Sequence, residues 1–337
     1  MPNDSPIPAT SAHPRTYSSV HHQETNAHPP ENDPLAHVQP AWATPIAFRH
    51  SGWDSRRRRI LASLLRTHAS QSRLDRFAAC GSHAWVLTNP NLPNTYRIAA
   101  DYCHDRWCSP CQNARAMTVA ANLRGNLPPG RVRFLTLTYR STTEDLKTLV
   151  QDLFKGFVRL RRSPDWKKRV VGGVSFLEVK WNSQPQRWHA HLHTLIEGTY
   201  FPQPLLSRAW RAATNTSYIV DIRAIANTDH ALAYVTKYAT KAVDNETTLH
   251  PAQLDEAVLA LRGTRTMTTF GTWRRLGLTK HLTETGFVAL DTLQNILDAA
   301  RAGDAYARGI LSCIRRYSPW TTTQHQLPPT RPPPPSN

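Results

Sequence analysis

The feature that most constrains the fold is a run with histidine at every second position, Trp188-His189-Ala190-His191-Leu192-His193-Thr194-Leu195-Ile196. On a strand, alternate side chains share a face, so His189, His191 and His193 point one way while Ala190, Leu192 and Leu195-Ile196 help to fill a core. Three imidazoles in a row form an array of metal ligands. The outer two lie roughly 13 Å apart at strand rise, too far to share one ion with nitrogen bonds near ~2 Å. At most one adjacent pair therefore chelates, and His191 with His193 is the pair chosen, His189 standing beside them. The plainer reading is a set of surface histidines in a chain that carries 16.

The surrounding periodicity supplies the rest of a domain. Val132 to Thr138 is β-branched and apolar and reads as a buried strand. Leu146, Leu149, Leu153, Phe154, Phe157 and Leu160 recur at helical spacing, with Ser141, Thr142 or Thr143 as plausible caps. Val170 to Trp181 and Trp188 to Ile196 read as a hairpin turned by Asn182-Ser183-Gln184-Pro185. A helix over Leu205 to Ala213, a strand over Tyr218 to Ile225 and a helix over His230 to Ala242 complete the order β-α-β-β-α-β-α. The expected class is α+β, an antiparallel sheet with helices on one face in a ferredoxin-like layout. No long internal repeat is present.

Four of the five cysteines fall between Cys80 and Cys111, the last three in Cys103-His104-Asp105-Arg106-Trp107-Cys108-Ser109-Pro110-Cys111. A Cys-x-x-Cys knuckle with a second arm some ~20 residues away is typical of a closed tetrahedral zinc site. Cys80, Cys103, Cys108 and Cys111 are thus expected to bind structural Zn²⁺, with His83 or His104 able to replace Cys80. Disulfide pairing is the alternative, but Cys313 would then stay unpaired, so a reducing, cytoplasmic setting fits better.

Two further groups carry chemistry. Glu178, in Phe176-Leu177-Glu178-Val179-Lys180, sits amid an apolar run and is metal-bound, salt-bridged or outward facing. In Tyr234-Val235-Thr236-Lys237-Tyr238-Ala239-Thr240-Lys241 the two phenols lie one helical turn apart, as do the lysines. A phenol with an ordinary pKa near ~10 attacks poorly unless cationic groups or a metal-polarised phosphate assist it. The alternative is an amphipathic helix whose tyrosines pack and whose lysines are solvated.

Along the chain this gives a polar arm at 1–45, a basic helical segment at 46–77, a cysteine module at 78–125, the main core at 131–245, a helical extension at 246–320 and a Pro-rich tail at 321–337. The arm and tail are too polar to offset the entropy of ordering. A formal net charge of +17 calls for a polyanionic partner. No run of 18 apolar residues exists and Met1-Pro2-Asn3-Asp4 opens no leader pattern, so nucleic acid is expected and a membrane is not. Arg56-Arg57-Arg58-Arg59 either grips phosphates or forms a solvated face.

Taken together, Phe134-Leu135-Thr136-Leu137-Thr138, His189 to His193, and Tyr234 to Lys241 resemble, in this order, the three motifs of rolling-circle plasmid replication initiators in the HUH endonuclease superfamily. Glu178 and the Cys103 to Cys111 segment also match what members carry, and the resemblance covers roughly Cys80 to Leu276. It implies that His191 and His193, with Glu178, hold Mg²⁺ or Mn²⁺, and that Tyr238 nicks origin DNA, single-stranded or extruded as a hairpin, through a 5′-phosphotyrosyl bond, with Lys237 or Lys241 offsetting charge. It further implies a host helicase, single-strand-binding protein and polymerase as partners, since no Gly-x-x-x-x-Gly-Lys-Ser/Thr loop is present. Tyr234 stands where many plasmid initiators place a glutamate, which resembles the two-tyrosine initiators of certain phages and leaves termination by Tyr234 or by water open. A two-tyrosine transposase shares these motifs, and a non-catalytic zinc-containing DNA-binding protein would explain charge and cysteines alone.

Overall fold

The computed structural model describes residues 52–316, apart from 128–130, 142–144, 185, 226, 240–242, 244–245 and 281–285. The arm at 1–45, the tail at 321–337 and Lys241 lie outside the described residues. In chain order the elements are α1 (Trp53–Arg66), α2 (Gln71–Ala78), β1 (Ser82–Thr88), β2 (Tyr96–Asp101), α3 (Ser109–Arg124), β3 (Val132–Thr138), α4 (Leu146–Arg162), α5 (Pro164–Arg169), β4 (Val170–Asn182), β5 (Arg187–Gly198), α6 (Gln203–Thr214), β6 (Val220–Ala224), α7 (Thr228–Ala239), α8 (Pro251–Ala260), β7 (Met267–Gly271), β8 (Val288–Thr292), α9 (Leu293–Arg301) and α10 (Ala305–Arg316).

The main sheet has the order β6-β3-β5-β4-β7 and every pairing is antiparallel. Its spine is the β4–β5 hairpin, turned where the Asn182 Oδ1 accepts from the Gln184 amide at 3.1 Å. Helix α4 buries Leu146, Leu149, Val150, Leu153, Phe157 and Leu160, the stripe that its period dictates. Its cap is Asp145, which accepts from Thr148 N at 3.0 Å. The expected caps do not serve: Ser141 bonds elsewhere, and Thr142 and Thr143 lie outside the described residues.

The expected helical layer is formed by α4 and α6. Phe157 of α4 meets Phe270 of β7 edge-on at 5.5 Å, and Trp210 of α6 donates its indole N–H to the Thr138 carbonyl at 2.9 Å. Gly173 keeps this layer close, because a Cβ there would collide with the Leu195 carbonyl and the Phe270 ring. A second layer covers part of the opposite face. Ala231, Leu232 and Val235 of α7 share a core with Val174, Phe176 and Leu195 of the sheet and with Val119, Ala120 and Leu123 of α3. The helix that follows the cysteines is thereby packed on the helix that carries the tyrosines.

Two strands, β7 and β8, lie in the stretch read from sequence as helical. β7 closes the main sheet beside β4, while β8 pairs with β1 in a second sheet of order β2-β1-β8. Ala84, Val86 and Tyr96 on one face of that sheet pack under Leu293, Ile296, Leu297 and Ile310 of α9 and α10. No helix among the described residues is long and apolar enough to cross a membrane.

Candidate active site and metal centres

Register places the histidines. Thr138, His191 and Glu178 form one row across β3, β5 and β4, and Thr136, His193 and Phe176 form the next. Lys180 pairs with His189 one row beyond. The threonines of the Phe134-Leu135-Thr136-Leu137-Thr138 strand orient the imidazoles: Thr136 Oγ1 lies 3.2 Å from His193 Nδ1 and Thr138 Oγ1 lies 3.2 Å from His191 Nδ1. Ser141 Oγ does the same for His189 Nδ1 at 2.9 Å. With Nδ1 held this way, Nε2 of His189 and His191 is the atom left to face a ligand, while that of His193 meets Glu178. Sequence reasoning quoted these threonines as a motif without giving them this task.

Glu178 is 5% exposed and so does not face outward. Its Oε2 lies 2.8 Å from His193 Nε2, and its Oε1 lies 3.5 Å from Lys180 Nζ. Burial alone would raise this carboxyl, but the His193 hydrogen bond and the charges of His193, Lys180 and His191 hold it below its usual value. Burial, reinforced by His193, pushes His191 down to about 4, so its ring stays neutral and able to coordinate. His189 is lowered too, first by burial and then by Lys180.

Two imidazole nitrogens and a carboxylate on one face are donors of the kind that could serve a divalent ion with open positions, although they are not drawn together as the four thiols are. The set is loose, since the His191 and His193 rings are 6.0 Å apart at 27°. His189 and His191 also wall a cleft of about 380 Å³ together with Lys180, Trp181, Asn182 and Glu246, which gives a ligand access to the row.

Both tyrosines reach this face from α7. The Tyr238 ring stacks on His193 with centroids 3.6 Å apart and planes 19° apart, and Lys237 Nζ lies 5.0 Å from the Tyr238 ring centre. Tyr234 is stacked on Phe134 at 4.1 Å, with its hydroxyl 3.2 Å from His193 Nδ1. Burial raises the Tyr234 phenol above its ordinary value, with the neighbouring Tyr238, Asp221 and Glu178 adding to the rise against a hydrogen bond from Thr136. One helix thus offers two phenols in different settings.

The cysteines form a separate centre. The ligand atoms of Cys80, Cys103, Cys108 and Cys111 all lie within 4.8 Å of one another, the only group of three or more His, Cys, Asp or Glu drawn together in this way among the described residues, and neither His83 nor His104 belongs to it. Sulfur separations of 3.3 Å for Cys80 and Cys108 and 3.6 Å for Cys103 and Cys111 approach the ~3.8 Å edge of a tetrahedron with ~2.3 Å bonds. Both are far above the ~2.05 Å of a disulfide, and none of the five cysteines is in one. Such a cluster could hold a metal such as zinc. His83 is instead paired with Asp101 at 2.7 Å on the surface.

Residues 96–297 match the family described as Replication protein. A "Protein rep" of Lactiplantibacillus plantarum is 28% identical over 144 residues, covering 37% of this chain and 45% of the relative. A "Protein rep" of Bacillus amyloliquefaciens is 26% identical over 167 residues, 45% of this chain and 49% of the relative. A "Replication protein" of Staphylococcus aureus is 31% identical over 91 residues, 26% of this chain and 39% of the relative. The chain spans about half the length of the curated relatives it matches. No solved structure matches.

Proposed function

Because the chain belongs to the replication-protein family, we propose that it initiates rolling-circle replication by nicking and rejoining a strand of plasmid origin DNA through Tyr238. The observation that carries this reading is the contact of the Tyr238 ring with His193, which itself bonds Glu178. Nucleophile and ligand set meet on one face beside an open cleft.

His191, His193 and Glu178 would hold Mg²⁺ or Mn²⁺, which when bound supplies Lewis-acid polarisation of the scissile phosphate. The Tyr238 oxygen attacks phosphorus, a tyrosyl O–P bond forms and the P–O3′ bond breaks. The phenolic proton is released and the departing 3′ oxygen takes one up, so a 5′-phosphotyrosyl link and a free 3′-hydroxyl result. Lys237, whose Nζ lies 5.0 Å from the Tyr238 ring centre, would offset charge on the phosphate, and Lys241 is assigned the same part by its spacing one turn on. The released 3′ end primes synthesis, and a second transfer closes the displaced circle. Host helicase, single-strand-binding protein and polymerase supply the other steps, in the cytoplasm.

The stacked tyrosine pair, 4.5 Å apart, also favours a second reading, a two-tyrosine transposase in which the phenols alternate. Against alternation, burial raises the Tyr234 phenol and its hydroxyl is occupied with His193. We assign it to orienting that imidazole. Zn²⁺ at the four cysteines would be structural.

The test mixes wild type, Tyr238→Phe and Tyr234→Phe with Mn²⁺ and single-stranded oligonucleotides tiling the encoding replicon or element, and resolves covalent adducts on a denaturing gel. An adduct from wild type and Tyr234→Phe, absent in Tyr238→Phe, is the expected result. Loss in both variants would support alternation, and no adduct from wild type anywhere in the set would point to a non-catalytic DNA-binding protein.

A further inference from the structure

The basic run at Arg56 to Arg59 neither lies wholly in solvent nor points as a unit at a ligand, because Arg57 is fully buried. Two of its guanidinium nitrogens, Nε and Nη1, have no hydrogen-bond partner. The third, Nη2, donates to the Phe77 carbonyl at 3.5 Å, and the same carbonyl accepts from the Cys80 amide at 3.4 Å. The guanidinium is therefore held against the turn that delivers the first cysteine.

An arginine does not shed its proton at any ordinary pH, so a buried one requires an anion. The groups that act on it electrostatically are Cys80, Cys108, Cys103 and Asp54. Asp54, one turn earlier on α1, forms no ion pair with it, and the Asp54 Oδ1 is itself buried without a partner. Neutral thiols supply no charge. Four thiolates around a divalent ion carry two net negative charges, and that complex would sit beside the two idle nitrogens.

We infer that Arg57 is the counter-ion of a metal-loaded tetrathiolate at Cys80, Cys103, Cys108 and Cys111, so that metal occupancy and the docking of α1 are coupled. This rests on the proposed zinc site. Apolar contacts also hold α1, through Ile60, Leu61 and Leu64 and through the Trp53 and Phe77 rings at 5.9 Å. Those contacts ignore the metal, whereas Arg57 senses it: loaded, the cluster neutralises the guanidinium, and empty, it leaves a buried charge uncompensated.

The experiment uses the full chain as wild type, Arg57→Met, Arg57→Lys and Asp54→Asn. Co²⁺ affinity is read from the thiolate-to-cobalt absorbance in competition with a chelator, and thermal midpoints are taken with and without metal. Arg57→Met should bind Co²⁺ about 10- to 100-fold more weakly, the usual effect of losing an outer-shell partner, with Arg57→Lys recovering most of that affinity. Asp54→Asn should change it by less than ~3-fold. Arg57→Met should also melt lower than wild type when loaded but no lower when stripped of metal. In wild type, amide exchange across α1 should slow on loading, a measurement that needs no variant to fold. Equal destabilisation of Arg57→Met in both states, or α1 exchange indifferent to metal, overturns the coupling while the zinc site stands. Absence of any thiolate–cobalt band in wild type overturns the zinc site and the coupling with it.

Discussion

The two candidate metal centres are built on opposite plans. The four thiols are drawn to within 4.8 Å of each other on segments separated by little chain, and three of them are buried. The histidine set spreads along strand registers, keeps its rings 6.0 Å apart and opens into a cleft. A closed tetrahedral set leaves an ion no vacancy and can only hold structure, while an open one leaves coordination positions for a substrate. On the proposed reading, the first centre would serve stability and the second chemistry.

That contrast makes separable demands. The largest effect is expected from Cys108→Ser, which should release the metal and lower the thermal midpoint by more than ~10 °C, since structural zinc contributes on the order of 10 kcal/mol of apparent folding energy in small metal domains. Tyr238→Phe should cut adduct formation at least ~10³-fold with an unchanged midpoint, by loss of the nucleophile alone. His191→Ala should cost ~10²-fold in adduct rate and leave stability nearly untouched. If it instead melted as early as Cys108→Ser, the division between the two centres would collapse. Tyr234→Phe should weaken Mn²⁺ activation ~10-fold at most, visible as a shift in the metal titration of the adduct assay.

The smallest effect concerns pH. In metal-free protein His191 is held at about 4, below its ordinary 6.5, so the unfolded chain binds its proton first. The stability this contributes is complete above about 6.5 and is lost as pH falls toward 4. His191→Gln should flatten the midpoint-against-pH curve across that window. An unchanged slope would mean that the ring is more hydrated than its burial indicates.

Much of both centres was legible because local rules suffice. Period two puts His191 and His193 on one face whatever the rest of the chain does, and the Cys-x-x-Cys knuckle is local, spanning the N-cap and first turn of α3. Glu178 was legible as a candidate but not as a partner, because its bond to His193 depends on hairpin register. The strands missed from sequence include Ser82–Thr88 and Tyr96–Asp101, inside the segment read only as a cysteine module, and the short Met267–Gly271 and Val288–Thr292, whose partners in β4 and β1 are far away in sequence. Their apolar pattern is too brief to declare a strand before the partner is in place. Arg57 was the least legible of all: flanked by three arginines, it looks solvated, and only the packing of α1 on α2 buries it.

The pairing of Thr88 with Val288 has a consequence for synthesis. Strand β1 leaves the ribosome ~200 residues before the strand that must sit beside it, a wait on the order of 10 to 40 s at bacterial elongation rates of ~5–20 residues per second. Over that interval β1 has only β2 beside it and its other edge is unpaired, so Trp85 and its neighbours are open to association with other nascent chains. Truncation anywhere before β8 would make that exposure permanent, so a shortened product should be caught by chaperones or proteases even when every residue of the histidine and tyrosine face is present.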